Sequence, residues 1–319
     1  MKRNYVLRSV QASVPGAREF EVSAENGQSM PASHAKVSER AGRLYQTASF
    51  VVSGLLALAV LLTAYSAMWE FSTRKYLKGF SDAIVPVAAT PEQKIEAILD
   101  WMAHGPARQA TGLDGAAPHR DPIDTLNYQA LLQVCGTATN AFINLGDSVG
   151  LVTRRLLLLD SQRLVKHVSA EVLVNGGWIV VDPAFRVILR GPNGQFLTRE
   201  QLADPATLAA ATKNVPGYNP LYSYESTAHI RLGRLPFFGL PLRRVLGAVV
   251  PGWEDSPTLS LLAERESLAV VLASLCLVIL LLLIRASLRW YGEHRLGLHA
   301  VRMRERIWRA LGAFMETAG

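Results

Sequence analysis

Only two cysteines, Cys135 and Cys276, occur in the 319 residues, and the second lies inside a long apolar run. Thiols so placed make no sensible pair, so no disulfide framework is implied. No metal-ligand cluster is visible either, and neither a metal nor another cofactor is expected. The net charge is +7, yet the chain lacks an aromatic-basic groove pattern and zinc-ligand spacing, which argues against nucleic acid as a partner. Internal repeats are absent. The first apolar run begins far too late for a secretory signal peptide.

What the chain has in abundance is hydrophobicity, at 50% of residues, and it is unevenly placed. Thr47–Trp69 is a run of 23 residues without a charge, flanked by Arg43 and Glu70, with Trp69 and Phe71 suited to a membrane interface. At ~1.5 Å per residue it spans the ~30 Å of a bilayer's hydrocarbon. Ser267–Ile284, 18 residues closed by Arg285, is a second such run. The expected organisation follows. Residues 1–46 form a mostly disordered tail, with Ser38–Leu44 as a short helix leading into the membrane. Residues 47–69 and 267–284 are transmembrane helices, and 70–228 form a soluble domain between them. Residues 229–266, broken by Gly and Pro and interrupted by Arg243 and Arg244, read as a juxtamembrane interfacial segment, with Phe237, Phe238 and Trp253 at head-group depth. Residues 285–319 read as a basic amphipathic tail, with Trp290, Leu296, Leu298, Val301, Ile307 and Trp308 among arginines. Membrane lipids, whose anionic head groups suit this basic excess, are the first expected partner. Arg285, Arg289 and Arg295 follow the second span, against Arg265 before it, which places both termini in the cytoplasm and the domain outside.

Inside the domain, Thr90-Pro91-Glu92-Gln93 is a helix start, and the helix carries Ile95, Ile98, Leu99 and Met102 on one face. Ala107–Pro122 reads as a loop bordering a cleft or as a surface excursion. Asp124-Thr125 then opens a short helix that delivers Cys135. After the cysteine, Ala138, Ala141, Phe142 and Leu145 recur at helical spacing, so the thiol stands at a helix N-terminus. Unpaired N–H groups and the helix dipole favour a thiolate there. Gly136 allows another backbone to come close.

His167 begins the run HVSAEVLV, and Asn175-Gly176 separates it from Trp178–Asp182, a strong hairpin signal. With Asn175 and Gly176 as the two turn residues, Ser169 pairs with Asp182 and His167 with Ala184. His167 and Asp182 then become diagonal neighbours on one face. A three-residue turn would separate them. Val168, Ala170, Val172, Val174, Ile179 and Val181 form the opposite, core-facing side. Further on, Phe185–Leu189 and Gln195–Leu197 read as another strand pair, Thr198–Gln201 as a helix start, and the Tyr-rich Val215–Tyr224 as a loop against the domain or the bilayer.

A thiol at a helix start, a histidine and a carboxylate that orients it make the nucleophile, base and orienter of covalent acyl transfer. The series Cys135-Gly136, a helix ending near Gly150, Val152-Thr153-Arg154-Arg155, His167 with Glu171-Val172, Gly177-Trp178 and Asp182-Pro183 resembles the transglutaminase-like cysteine domain over roughly residues 92–190. The resemblance implies an α+β fold with a papain-like core and an antiparallel sheet, here inserted between two transmembrane helices. It assigns Cys135 as nucleophile, His167 as base and Asp182 as orienter. It also brings in Gln129, six residues ahead of Cys135, and Gln133 as candidate oxyanion donors. Many members carry an aromatic residue within two positions after the histidine, where this chain has Val168-Ser169.

These features together describe a bacterial inner-membrane protein of two spans with a periplasmic domain. Its expected activity is that of a cysteine-dependent acyl transferase or amide hydrolase, of protease, amidase or transamidase type, acting on a peptide or other amide of the envelope. Hydrolysis and transamidation both remain open. The alternative is a catalytically inactive, membrane-tethered binding or assembly component of envelope or exopolysaccharide machinery, with other membrane proteins as partners.

Overall fold

The computed structural model describes residues 32–106, 121–230, 244 and 246–295. The chain divides into two compact units, Phe50–Ser287 and the two ends, Met1–Ser49 with Leu288–Gly319. In the unit of the ends, the described parts are helical and Tyr45 is buried. The site lies in the larger unit.

Helix α1 runs over Ala32–Ile84, 53 residues, between Pro31 and Pro86 with no proline inside. It therefore reaches well beyond the expected 47–69. Residues 32–46, expected to be largely disordered, are helical from Ala32, because a nucleated helix extends at one hydrogen bond per residue and this stretch is rich in helix formers. On the other side the helix continues past Trp69 into the domain. There Arg74 and Lys78 pair with Glu70 and Asp82 one turn away, while Leu77 is fully buried.

The remaining elements follow in chain order. They are α2 (Pro91–His104), α3 (Pro122–Asn127), α4 (Gln129–Leu132) and α5 (Cys135–Ser148), then β1 (Thr153–Leu159), β2 (Val165–Val174), β3 (Gly177–Asp182) and β4 (Val187–Ile188). After these come α6 (Arg199–Leu202), α7 (Pro205–Thr212), β5 (Thr227–Ala228), a 3-10 turn at Trp253–Asp255, α8 (Pro257–Glu264) and α9 (Glu266–Arg295). The fold is mixed, with one antiparallel sheet of five strands in the order β4-β3-β2-β1-β5.

Both faces of the sheet are covered. Ala170, Val172, Val174, Ile179 and Val181 pack on Ala138, Phe142 and Leu145 of α5 and on Ile95, Ile98 and Met102 of α2. On the other face Leu156, Leu158 and Val180 meet Leu189, Leu197, Leu202, Leu208 and Tyr224. Two covered faces explain the unbroken leucines of β1. The start of α2 is as the sequence implies, with Thr90 and Gln93 forming a capping box and Pro91 at the first helical position. Asp121 rather than Asp124 caps α3. The loop 107–120 lies outside the described residues, as do 231–243 and the tail beyond Arg295.

Within the segment 229–266 the structure differs from the interfacial reading at His229, Trp253 and α8, while Val249 and Val250 are exposed and Phe237 and Phe238 lie outside the described residues. His229 and Trp253 are buried in the domain, and α8 packs on β1 and α5. A run of aromatic and apolar residues fits a head-group layer and a protein interior equally well, and here the interior takes it. Arg265, counted above as a charge flanking the second span, is 1% exposed. Its Nε donates to Asn144 Oδ1 at 2.8 Å, its Nη2 to Asp147 Oδ2 at 2.8 Å and its Nη1 to Glu70 Oε1 at 3.4 Å. Ser267 Oγ donates to Glu70 Oε2 at 2.6 Å. One guanidinium thus joins α1, α5 and the start of α9.

Helices α1 and α9 are long and apolar enough to cross a membrane by length and composition, and their apolar windows are mostly exposed. Both expected spans fall inside them.

Arg265→Met removes this cation from the junction, leaving buried Glu70 to Arg74 and Ser267 and leaving Asn144 Oδ1 and Asp147 without their partner. The expected loss is about 3 kcal/mol or more, as for other broken buried pairs. The measurement is the unfolding midpoint of the full chain in detergent, and adding Glu70→Gln should recover part of the loss.

Candidate active site

Cys135 is the first residue of α5, after Val134 in extended conformation. The helix is fixed at this end by Thr137, whose Oγ1 donates to the carbonyls of Val134 and Leu131. It is fixed to β2 by Thr139, whose Oγ1 donates to Val168 O at 3.1 Å. Gly136 serves a close approach, though of a side chain rather than a backbone. A Cβ there would stand 3.3 Å from Nη2 of Arg155, whose guanidinium pairs with Glu264.

The β2–β3 hairpin has the two-residue turn that the sequence implies. Asn175 and Gly176 take φ of 50° and 82°, and Val174 pairs with Gly177 through to Ala170 with Val181. His167 and Asp182 therefore share a face, and His167 Nε2–H donates to Asp182 Oδ2 at 2.7 Å. Both side chains are almost fully buried. A register shift between Leu158 and Leu159 makes Leu158 face His167 while Leu159 faces Val165, so a bulge at Lys166 stands directly before the histidine. Bulges re-aim side chains in this way.

The second oxygen of Asp182 is held by its own chain. Oδ1 accepts from the amides of Ala184 at 3.1 Å and Phe185 at 3.4 Å, while Pro183, having no N–H, leaves them to it. Arg186, at φ 58°, donates from Nη2 to Leu132 O at 2.7 Å and ties this turn to the segment that leads to Cys135. Hairpin and helix start are thus laced together around the three residues.

Electrostatics bring the thiol and the imidazole into one system. Burial pushes the Cys135 thiol up, but adjacent His167 and the backbone amides of Val168 and Gly136 outweigh it, so the thiol sits below its ordinary 9.0. Burial pushes His167 down, and Asp182 and Cys135 override it, raising the imidazole from 6.5 to about 9. Both shifts favour the charged forms, a thiolate beside an imidazolium. Nδ1, the nitrogen left for the sulfur, is buried and its bond to the thiol is not closed to hydrogen-bonding geometry. Sites without substrate are commonly this loose.

Gln129 begins α4 and Gln133 follows it, and both side chains are exposed. Neither makes a side-chain hydrogen bond among the described residues. Groups that sequence patterns pass over stand closer. Tyr222 stacks on His167 with centroids 4.3 Å apart and planes at 13°. Phe185 at 5.7 Å and Tyr218 at 6.3 Å close other sides of the ring. The cluster of tyrosines in 215–224 was the available signal, but a loop has no period that aims its side chains.

A second polar group lies further along the same face of β2. His229 sits between Glu171 Oε2 and Asp255 Oδ1, both at 2.6 Å, and Arg154 Nε donates to Glu171 Oε2 at 2.7 Å. The Arg154 guanidinium lies 3.9 Å over the ring of Trp178. This group braces His229 and Asp255 against the sheet. No metal-holding group of three or more His, Cys, Asp or Glu occurs among the described residues.

No known protein-family model matches the chain, and a search among curated proteins finds no significant match.

In a Cys276→Ser background, where Cys135 is the only thiol, alkylation by iodoacetamide should rise with pH through a midpoint below 9.0 and flatten before His167 loses its proton at about 9. His167→Ala removes the larger of the influences that lower the thiol, keeps the smaller ones from the amides of Val168 and Gly136, and keeps the burial that raises it. Its midpoint should therefore move upward, with roughly tenfold or more lost in rate at neutral pH. Asp182→Asn should fall between the two.

Proposed function

We propose that the protein is a membrane-anchored, cysteine-dependent acyl transferase or amide hydrolase with a transglutaminase-like core. Cys135 is the nucleophile, His167 the base and Asp182 the orienter. The observation that carries this reading is the buried imidazole of His167, bonded to Asp182 at 2.7 Å through Nε2 and close enough to Cys135 for each to shift the other's titration. A carboxylate, an imidazole and a thiol at a helix start are the parts that thiol acyl transfer needs.

The chemistry follows from the groups. The Cys135 thiolate attacks an amide carbonyl, forming an S–C bond, and the carbonyl π electrons move to oxygen. The first-turn N–H groups of α5, unpaired within the helix, stand beside the sulfur and suit that oxyanion. The C–N bond breaks as the His167 imidazolium gives its proton to the departing amine, and a thioester remains. Water or a second amine then attacks the thioester. His167 takes the attacker's proton and the thiolate leaves, giving a carboxylic acid or a new amide.

Two helices long and apolar enough to cross a membrane support a domain held at one. The arginines that follow residue 284 favour a cytoplasmic C-terminus, so the site faces the other side, the periplasm of a bacterium. A peptide or other amide of the cell envelope is the corresponding substrate.

Two experiments test this. Cys135→Ala should abolish amide cleavage or transamidation and leave the melting transition in place. A Cys135 that alkylates no faster than an ordinary buried thiol would instead favour the tethered assembly component. Reporter fusions should place Gly150 outside the cytoplasm and Ala310 inside; both on one side would overturn the two-span orientation.

A further inference from the structure

A histidine held by a single hydrogen bond is poorly aimed. The Nε2–H bond of His167 to Asp182 fixes one ring atom, the bond from Nδ1 to the thiol is open, and the terminal torsion of a histidine is broad. Something else has to set the ring plane. Tyr222 lies parallel to the imidazole at 4.3 Å and 13°, which leaves the ring little freedom to tilt. Tyr222 is itself held. Its N–H donates to Asn219 O at 3.1 Å, and the N–H of Leu221 donates to Asn219 Oδ1 at 3.0 Å, which fixes the tight turn that carries it. Tyr218 meets Tyr222 edge-on at 5.5 Å and shares a 3.2 Å contact with the hydroxyl of buried Tyr224.

We infer that Tyr222 is a positioning residue of the site: its ring clamps the plane of the His167 imidazole so that one nitrogen serves Asp182 and the other serves Cys135, and its π face favours the protonated imidazole. The inference rests on the acyl-transfer reading above. The ring, and not the hydroxyl, is the working part, since the hydroxyl makes no hydrogen bond among the described residues and the stacking is face to face. An aromatic face over a desolvated cation stabilises it. Strand β2 itself carries no aromatic residue besides His167. Val168 points to the opposite face and Ser169 is small, so an aromatic ring over the imidazole has to come from another segment.

The test is a series at position 222 in the full chain, in detergent with Cys276→Ser, read by the pH profile of iodoacetamide alkylation at Cys135. Tyr222→Phe keeps the ring and should stay within about twofold of the parent at every pH. Tyr222→Leu should shift the alkylation midpoint upward and slow the reaction at neutral pH by about three- to tenfold. In the same variants, NMR of labelled histidine should show His167 titrating near 9 with Phe and lower with Leu, in step with the alkylation shift. A Leu profile equal to the parent's overturns the inference, and so does a Phe variant as impaired as Leu, which would assign the role to the hydroxyl. If Leu does not melt cooperatively, Tyr222→Gln takes its place. Failure of both to fold also overturns the inference, because the ring would then be a packing element. A parent whose Cys135 is no more reactive than a free thiol defeats the acyl-transfer reading itself. A reactive parent with an unresponsive position 222 defeats only this inference.

Discussion

The register of β2 against β3 is the constraint on which the site depends. Asn175 and Gly176 both take positive φ, a combination that fits the twist of the flanking strands, and every pairing behind the turn follows from it. A slip of one residue would turn Asp182 toward α5 and place a carboxylate in the cluster of Ala138, Phe142 and Val172. The same slip would carry Val181 to the side of His167. Register, core and catalytic geometry are therefore secured together, because the apolar pattern of one face penalises any error on the other.

Helix α5 carries the complementary constraint. Its apolar positions face the sheet, and a polar stripe of Gly136, Asn140, Asn144 and Asp147 runs along another side at helical spacing. Asn140 Nδ2 donates to Glu264 O at 2.5 Å and Asn144 Nδ2 to the same carbonyl at 3.2 Å, while Arg265 closes on Asn144 and Asp147. These partners come from the end of α8 and the start of α9. The helix that presents the thiol is thus bolted through polar groups to the helices that can enter a membrane. Such groups are costly to bury singly, and in a connected set most of their polar atoms find partners, although Asn140 Oδ1 has none among the described residues.

Much of this was legible in the sequence, for physical reasons that differ by element. Asn-Gly demands a turn with positive φ, so the β2–β3 pairing and the shared face of His167 and Asp182 followed from counting. The capping box at Thr90 and the helical spacing after Cys135 are equally local. Tyr222 and Phe185 were not legible as neighbours of His167, because a loop such as 215–224 aims its side chains through tertiary contacts. Trp253 was misplaced because bilayer surface and protein core reward the same side chain. Arg265 looked like a loop charge, since sequence shows its position before an apolar run but not Glu70, 195 residues earlier, to which it reaches. The bulge at Lys166 left no pattern at all.

His167 and Asp182 are buried and Cys135 is half-buried beside them, which has a consequence that joins these parts. In a low-dielectric interior an isolated imidazolium or thiolate is strongly disfavoured, and both shifts here include burial as an opposing effect. Each charge is therefore tolerated only in the presence of the other and of Asp182, with aromatic rings excluding water from the imidazole. That interdependence couples the thiol and the imidazole: removing either, or Asp182 beside the imidazole, takes away an attraction that offsets burial. Exposing the site to water would weaken the attractions as well as the penalties, and the thiol would drift toward its ordinary behaviour. The aromatic cover and the hydrogen-bonded turn after Asp182 are thus part of the same electrostatic device as the three groups they enclose.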